Sequence, residues 1–214
     1  MIDKLYNMYG VYMKLLCYER AISRFIDDLD LKCKKNSRIL DVGCGTGIIG
    51  LQLIEKFQNS TLLATDAQEK FLYETIANAK KKRISKDRIS VGISDITTPD
   101  KVKILDDYSV SLKKESFDIV SFSGVVGYSK NQKESIITLL SLIKPNGYLI
   151  DLEMNEKPVG KWIASRYHYN VMSLIEMIKL IEDERYEVFR IPLSLKYFPA
   201  NLTRIGIVAK KISD

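Results

Sequence analysis

The segment DVGCGTGIIG, residues 41–50, concentrates residue types that could do chemistry. Gly43, Gly45, Gly47 and Gly50 follow a short apolar run. Glycine, lacking Cβ, lets a turn adopt positive φ and brings backbone close to a ligand. Two patterns overlap here. Gly43, Gly45 and Gly47 make G-x-G-x-G, whereas Gly45, Gly47 and Gly50 make the G-x-G-x-x-G of dinucleotide binders. Around them stand Asp41, Asp66, Asp95 and Glu153, and the chain's one histidine, His168.

The two glycine patterns suit ligands of different charge. A dinucleotide brings an anionic pyrophosphate to the N-terminus of the following helix. Asp41 would lie beside it, and two like unit charges about 4 Å apart repel by about 1 kcal/mol even in water. S-adenosylmethionine has no phosphate; it carries a sulfonium and an ammonium, which a carboxylate favours. Asp66 ends the next apolar run, where a carboxylate can accept hydrogen bonds from ribose hydroxyls of either ligand. Asp95 ends the third, at the same edge, and could accept from the exocyclic amine of adenine or serve as a turn or cap.

These positions require elements that carry them to one edge. The apolar runs RILDV (38–42), TLLATD (61–66), RISVGISD (88–95), SFDIVSFS (116–123) and YLIDLE (148–153) read as strands. Helical patterns at IIGLQLIEKF (48–57), EKFLYETIANAKKK (69–82) and QKESIITLLSLI (132–143) alternate with them, the last broken by KPNG. The polar stretch between the third and fourth strands is predicted to hold one short helix. Such alternation implies a mostly parallel sheet covered on both faces. After a helix around 170–183, the runs 186–198 and 202–212 are too close for a parallel crossover and must pair antiparallel. The first thirty residues read as a helix, with Leu5, Met8, Tyr12, Leu15, Ile22, Ile26 and Leu29 on one stripe and Tyr6, Tyr9 and Tyr12 together on a face.

Composition narrows the class. A chain of 214 residues, 46% hydrophobic and 28% charged, suits one folded domain with a proper core. No apolar run is long enough to span a membrane and the N-terminus lacks signal-peptide order. Cys17, Cys33 and Cys44 lack metal-ligand spacing, so no metal site is expected and reduced thiols point to a cytoplasmic protein. The net charge of +6 is moderate. Its densest cluster, Lys80 to Arg83, has no interleaved aromatics and fits a solvated helix end better than a nucleic-acid patch.

With these residues in place, ILDVGCGTGIIGLQL resembles motif I of the class I S-adenosylmethionine-dependent methyltransferases, small-molecule type. LLATDAQ, ISVGISDI, FDIVSFSGVVGYS and LLSLIKPNGYLIDLE resemble the following motifs in order. The resemblance implies an α/β, doubly wound, Rossmann-like seven-stranded sheet, mostly parallel with the last strand antiparallel, and helices on both faces. It implies one domain spanning 1–214: an N-terminal helical segment to 36, a cofactor-binding half over 37–153, and a lid with the C-terminal strands over 154–214. It places Asp41 near the methionine ammonium, and Gly43, Cys44, Gly45 and Gly47 around the methionine and ribose. Asp66 then holds the ribose with Ala67 beside the adenine, Asp95 and the backbone of Ile96 read the adenine, and Ser121 and Ser123 lie where the sulfonium faces the acceptor.

One departure restricts the chemistry. Enzymes of this fold that methylate exocyclic base amines or glutamine amides carry an N/D-P-P-Y/F motif where this chain has SFSGVV, and the cysteine of cytosine-C5 enzymes is missing there too. A general base is needed only when the acceptor is protonated at neutral pH. His168, in the aromatic stretch GKWIASRYHYN (160–170), and Tyr128 are the candidates for it, while Glu153 could orient an amine. That stretch, with Trp162, Tyr167 and Tyr169, has the position of a substrate lid. The acceptor expected is a small, aromatic or lipid-like molecule; nucleic acid is disfavoured, and RNA or protein methylation or a non-catalytic interaction role are the alternatives.

Overall fold

The computed structural model describes residues 18–33, 36–105 and 108–213. The stripe over Leu5 to Leu15, the three tyrosines and Cys17 lie outside these residues. Helix α1 (Tyr18–Asp28) carries Ile22 and Ile26 of that stripe, fully buried together with Phe25, and Leu29 follows it, also buried.

Among the described residues, nine strands form one sheet. In chain order they are β1 (Arg38–Val42), β2 (Thr61–Asp66), β3 (Ile89–Ile93), β4 (Lys101–Ile104), β5 (Ser109–Ser111), β6 (Phe117–Phe122), β7 (Ile143–Met154), β8 (Tyr186–Ile191) and β9 (Arg204–Lys211). Their spatial order is β5-β4-β3-β2-β1-β6-β7-β9-β8. The strands β3-β2-β1-β6-β7 pair parallel, and β9 lies antiparallel between β7 and β8. Removing the β4–β5 hairpin leaves the expected seven-stranded arrangement.

That hairpin replaces the short helix predicted for the polar stretch. In Lys101-Val-Lys-Ile104 the apolar residues alternate with lysines, which is a strand period, and Val102 is buried while its lysine neighbours are exposed. The strand predicted over 186–198 also stops early, at Ile191: Pro192 follows, and a proline has no N–H for the ladder. The link to β9 then runs through two short 3₁₀ turns.

Six described helices cover the sheet: α1, α2 (Ile48–Lys56), α3 (Glu69–Lys81), α4 (Gln132–Ser141), α5 (Pro158–Arg166) and α6 (Leu174–Asp183). Side chains of α1, α2 and α3 join Ile39, Ile119, Ile150 and Val208 in one core. Those of α4 and α6 join Leu40, Val120, Leu149 and Ile207 in the other. Alternate residues of each strand therefore feed opposite cores, which is why the central strands read as nearly unbroken apolar runs. The lysines that end α3 lie at its C-terminus, and Lys82 pairs with Glu55 at 2.7 Å, a solvated helix end as expected. No described helix is long and apolar enough to cross a membrane.

Chain order reverses across the β1–β6 pair, since β2 and β3 extend to one side and β7 to the other. Ligands in open sheets of this kind bind in the crevice outside the carboxyl ends at such a reversal.

Candidate active site

β1 ends at Val42 and the chain turns into α2 through Gly43, Gly45 and Gly47, with φ of 61°, 53° and 81°. Left-handed backbone at three alternate positions is what glycine tolerates without strain. A Cβ at Gly43 would stand 2.4 Å from Val125 Cγ2, and one at Gly47 2.8 Å from Thr75 Cγ2, whereas at Gly45 it would meet nothing within 4 Å. The turn is thus packed at both ends and open in the middle. Backbone bonds close it: Cys44 N–H donates to Thr65 O at 2.9 Å and Gly47 N–H to Cys44 O at 2.8 Å.

Two side chains of α3, neither singled out by its sequence, hold the turn from beside. Thr75 Oγ1 donates to Gly45 O at 2.9 Å and Asn78 Nδ2 to Thr46 O at 3.0 Å. Cys44 offers backbone only: its thiol is buried beside Thr75, and burial with the nearby Asp41 and Asp66 pushes its pKa well up.

Asp66, ending β2, accepts from Gly45 N–H through Oδ2 and from Gln68 N–H through Oδ1, both at 2.9 Å. Burial raises its pKa and these amides pull it back. Each oxygen keeps a lone pair for a ligand hydroxyl. Ala67 beside it is exposed. Asp95 is exposed and closes a turn, Oδ1 accepting from Thr97 N–H at 2.7 Å, which lowers its pKa. Ile96 packs its side chain into the α4–α6 core, leaving only backbone for a ligand.

Asp41 lies deeper. Directly opposite it in register is Ser121, whose hydroxyl donates to Asp41 Oδ1 at 2.8 Å; Gly50 N–H donates to Oδ2 at 3.0 Å. A Cβ on Gly50 would stand 2.8 Å from that oxygen, so the fourth glycine of the segment makes room for the carboxylate rather than for a dinucleotide. Burial pushes Asp41 up to about 7, while Ser121 and Gly50 oppose the shift. Ser121 is therefore a support beneath the turn, fully buried, rather than a group facing the cofactor as expected. Ser123 is likewise turned to the sheet, donating to Leu152 O at 2.9 Å.

The two candidate bases lie apart in character. His168 is exposed on a left-handed turn just after α5, φ 53°. Tyr128 is 46% exposed, its ring edge-on to Tyr169 at 5.2 Å. It is Tyr169, not His168, that points inward: it is buried and its hydroxyl donates to Glu153 Oε1 at 2.7 Å. Glu153 and Asp151, both towards the end of β7, are buried beside Arg204 of β9; burial raises both carboxyl pKa values, and the neighbouring Glu153 raises that of Asp151 further. Two carboxylates alternating with Ile150, Leu152 and Met154 were the available signal for this pair.

Comparison with known proteins agrees with this geometry. The sequence profile described as "Methyltransferase domain" matches residues 33–191. The chain belongs to that family, the class I S-adenosylmethionine-dependent methyltransferases. It is 22% identical over 179 residues to a demethylmenaquinone methyltransferase of Leptospira interrogans, covering 83% of this chain and 68% of that one. It is 25% identical over 193 residues to malonyl-[acyl-carrier protein] O-methyltransferase 2 of Ilyobacter polytropus, covering 86% and 66%. A S-adenosylmethionine-dependent methyltransferase from Aquifex aeolicus superposes with a TM-score of 0.61 at 17% identity over 94% of this chain and 92% of that one. This methyltransferase uses S-adenosylmethionine, and its residues fit that cofactor: open space over Gly45, Asp66 anchored by two amides and an exposed Asp95 stand along one edge.

Proposed function

We propose that this methyltransferase acts on a small-molecule acceptor with an aromatic or lipid-like body and a protonated nucleophile. Gly43, Gly45 and Gly47 hold the methionine and ribose of the cofactor, Asp66 takes the ribose hydroxyls, and Asp95 with the Ile96 backbone reads the adenine. Asp41 sets the position of the glycine turn and faces the ammonium end. Bound S-adenosylmethionine supplies the methyl group, already activated on a sulfonium; the chain supplies orientation and a dry site.

The observation that carries the acceptor class is the Tyr128–Tyr169 pair at the β6 end of the crevice, one ring half exposed and the other buried. Edge-on aromatics grip a flat apolar ring and leave a polar tip for its substituents. The relative named for demethylmenaquinone supports the same class. The test is methyl transfer from labelled cofactor to a panel of dihydroxynaphthalenes and catechols, beside total RNA and a mixed protein fraction. Label in the organic extract of the small molecules is the expected result; label confined to RNA or protein contradicts the reading.

A further inference from the structure

The end of β7 contains an arrangement that packing alone does not explain. Asp151 and Glu153 project from one face of the strand towards a core otherwise built from apolar side chains of α4 and α6, and are 0% and 1% exposed. Among the described residues, both oxygens of Asp151 and Oε2 of Glu153 have no hydrogen-bond partner. Leaving a buried polar atom unpaired costs on the order of 1–3 kcal/mol, and the large majority of buried side-chain polar atoms have a partner. Here one oxygen is anchored and three are open. Glu153 Oε1 accepts from Tyr169 O–H and from Met154 N–H, each at 2.7 Å.

Position and cover give the open oxygens a use. Glu153 stands at the carboxyl end of β7, next to the β6 end, where Leu152 O accepts from Ser123 Oγ. The segment over it, α5 and the turn to Val171, packs through a small cluster of Met154, Ala164 and Tyr169 with Ile163 and Val171, separate from both main cores. None of the buried side chains of 158–171 belongs to either of those cores.

We infer that Glu153 is the residue that takes the proton from a hydroxyl acceptor, through Oε2, once the 158–171 segment has admitted that acceptor. The inference rests on the small-molecule reading above. The acceptor's O–H bond breaks, its proton goes to Glu153 Oε2, and its electron pair stays on oxygen. That pair forms the O–CH3 bond while the S–CH3 pair remains on sulfur, leaving S-adenosylhomocysteine and a neutral Glu153 that returns its proton to solvent. Asp151, on the same strand, keeps its own proton because burial and the neighbouring carboxylate hold it well up. Burial pushes Glu153 up as well, and Tyr169 from the cover, Met154 N–H and Arg204 from β9, itself bonded to Tyr18 of α1, oppose that rise. Of the two carboxyls, only Glu153 is anchored through one oxygen with the other left open, which places it to receive the proton.

Glu153→Gln tests this with little disturbance, since the amide oxygen still accepts from Tyr169 and Met154. The probe is 4-nitrophenol added to the S-adenosylhomocysteine complex below the phenol's own pKa. The wild type is expected to bind it as the coloured phenolate and Glu153→Gln as the neutral phenol. Transfer to catechol should fall in kcat on the order of 10²-fold, with KM nearly unchanged. Tyr169→Phe, which removes a bond favouring the charged form, should move the acidic limb of the kcat/KM profile to higher pH. An identical phenolate spectrum and pH profile in Glu153→Gln overturns the inference. So does a wild type that binds S-adenosylhomocysteine but no phenol, an outcome that leaves methyl transfer itself standing. A wild type that binds no S-adenosylhomocysteine fails at the earlier reading and takes this one with it.

Discussion

Asp41 shows how one buried carboxylate ties the turn to the sheet. Its oxygens are spoken for by Ser121 across the β1–β6 ladder and by Gly50 at the start of α2, yet burial still leaves its pKa at about 7 against the ordinary 3.8. A folded value above the unfolded one means the folded state binds the extra proton. Its contribution to stability is therefore full below about pH 4 and is lost as pH rises through 7, on the order of 4 kcal/mol in all. Asp41→Asn can keep both contacts, because the amide donates to Ser121 while the Ser121 hydroxyl turns to Leu40 O. Thermal melts across this range should show the wild type losing stability relative to Asp41→Asn as pH rises; parallel curves would contradict the assignment. Ser121→Ala, by contrast, removes a buried bond to a charge-bearing group and should destabilise by roughly 1–3 kcal/mol in chemical denaturation.

At the scale of elements, the glycine turn separates stability from binding. Gly43→Ala drives a Cβ into Val125, while Gly45→Ala meets open space and bears only the left-handed backbone, about 1 kcal/mol. Gly43→Ala should therefore lower Tm more. Gly45→Ala should weaken S-adenosylhomocysteine binding far beyond its loss of stability, because the new methyl occupies ligand space. Equal ratios of the two effects in both variants would argue against an open ligand face at Gly45. The strand–turn–helix units were legible because each apolar run is bounded by glycine, proline or charge and opens the next helix. The β4–β5 hairpin was not, since within a lysine-rich stretch a single buried Val102 carries the strand period. Nor could sequence decide between His168 and Tyr169. They are neighbours, and which one turns inward is set by the left-handed residue at 168 and by room that Gly127 leaves for the Tyr169 ring. The Ser121–Asp41 and Tyr169–Glu153 pairs join residues far apart in the chain, and no local pattern encodes them.

For the whole molecule, two large cores grip the sheet and one small cluster holds the segment over the acceptor side. Opening free energy should follow that division. Among the described residues, brief trypsin treatment should cut first at Lys161 or Arg166, ahead of any site between β1 and β3; first cleavage within 38–93 would show the cover to be as firmly held as the core. The central claim is that the crevice at the β1–β6 reversal holds S-adenosylmethionine through the glycine turn and Asp66. Calorimetric titration with S-adenosylhomocysteine, using NAD as control, on the wild type and Asp66→Ala tests it most directly. Binding on the order of micromolar, weakened about tenfold or more by Asp66→Ala and absent with NAD, is the predicted result. A folded wild type that binds NAD, or that binds S-adenosylhomocysteine equally well without Asp66, would contradict it.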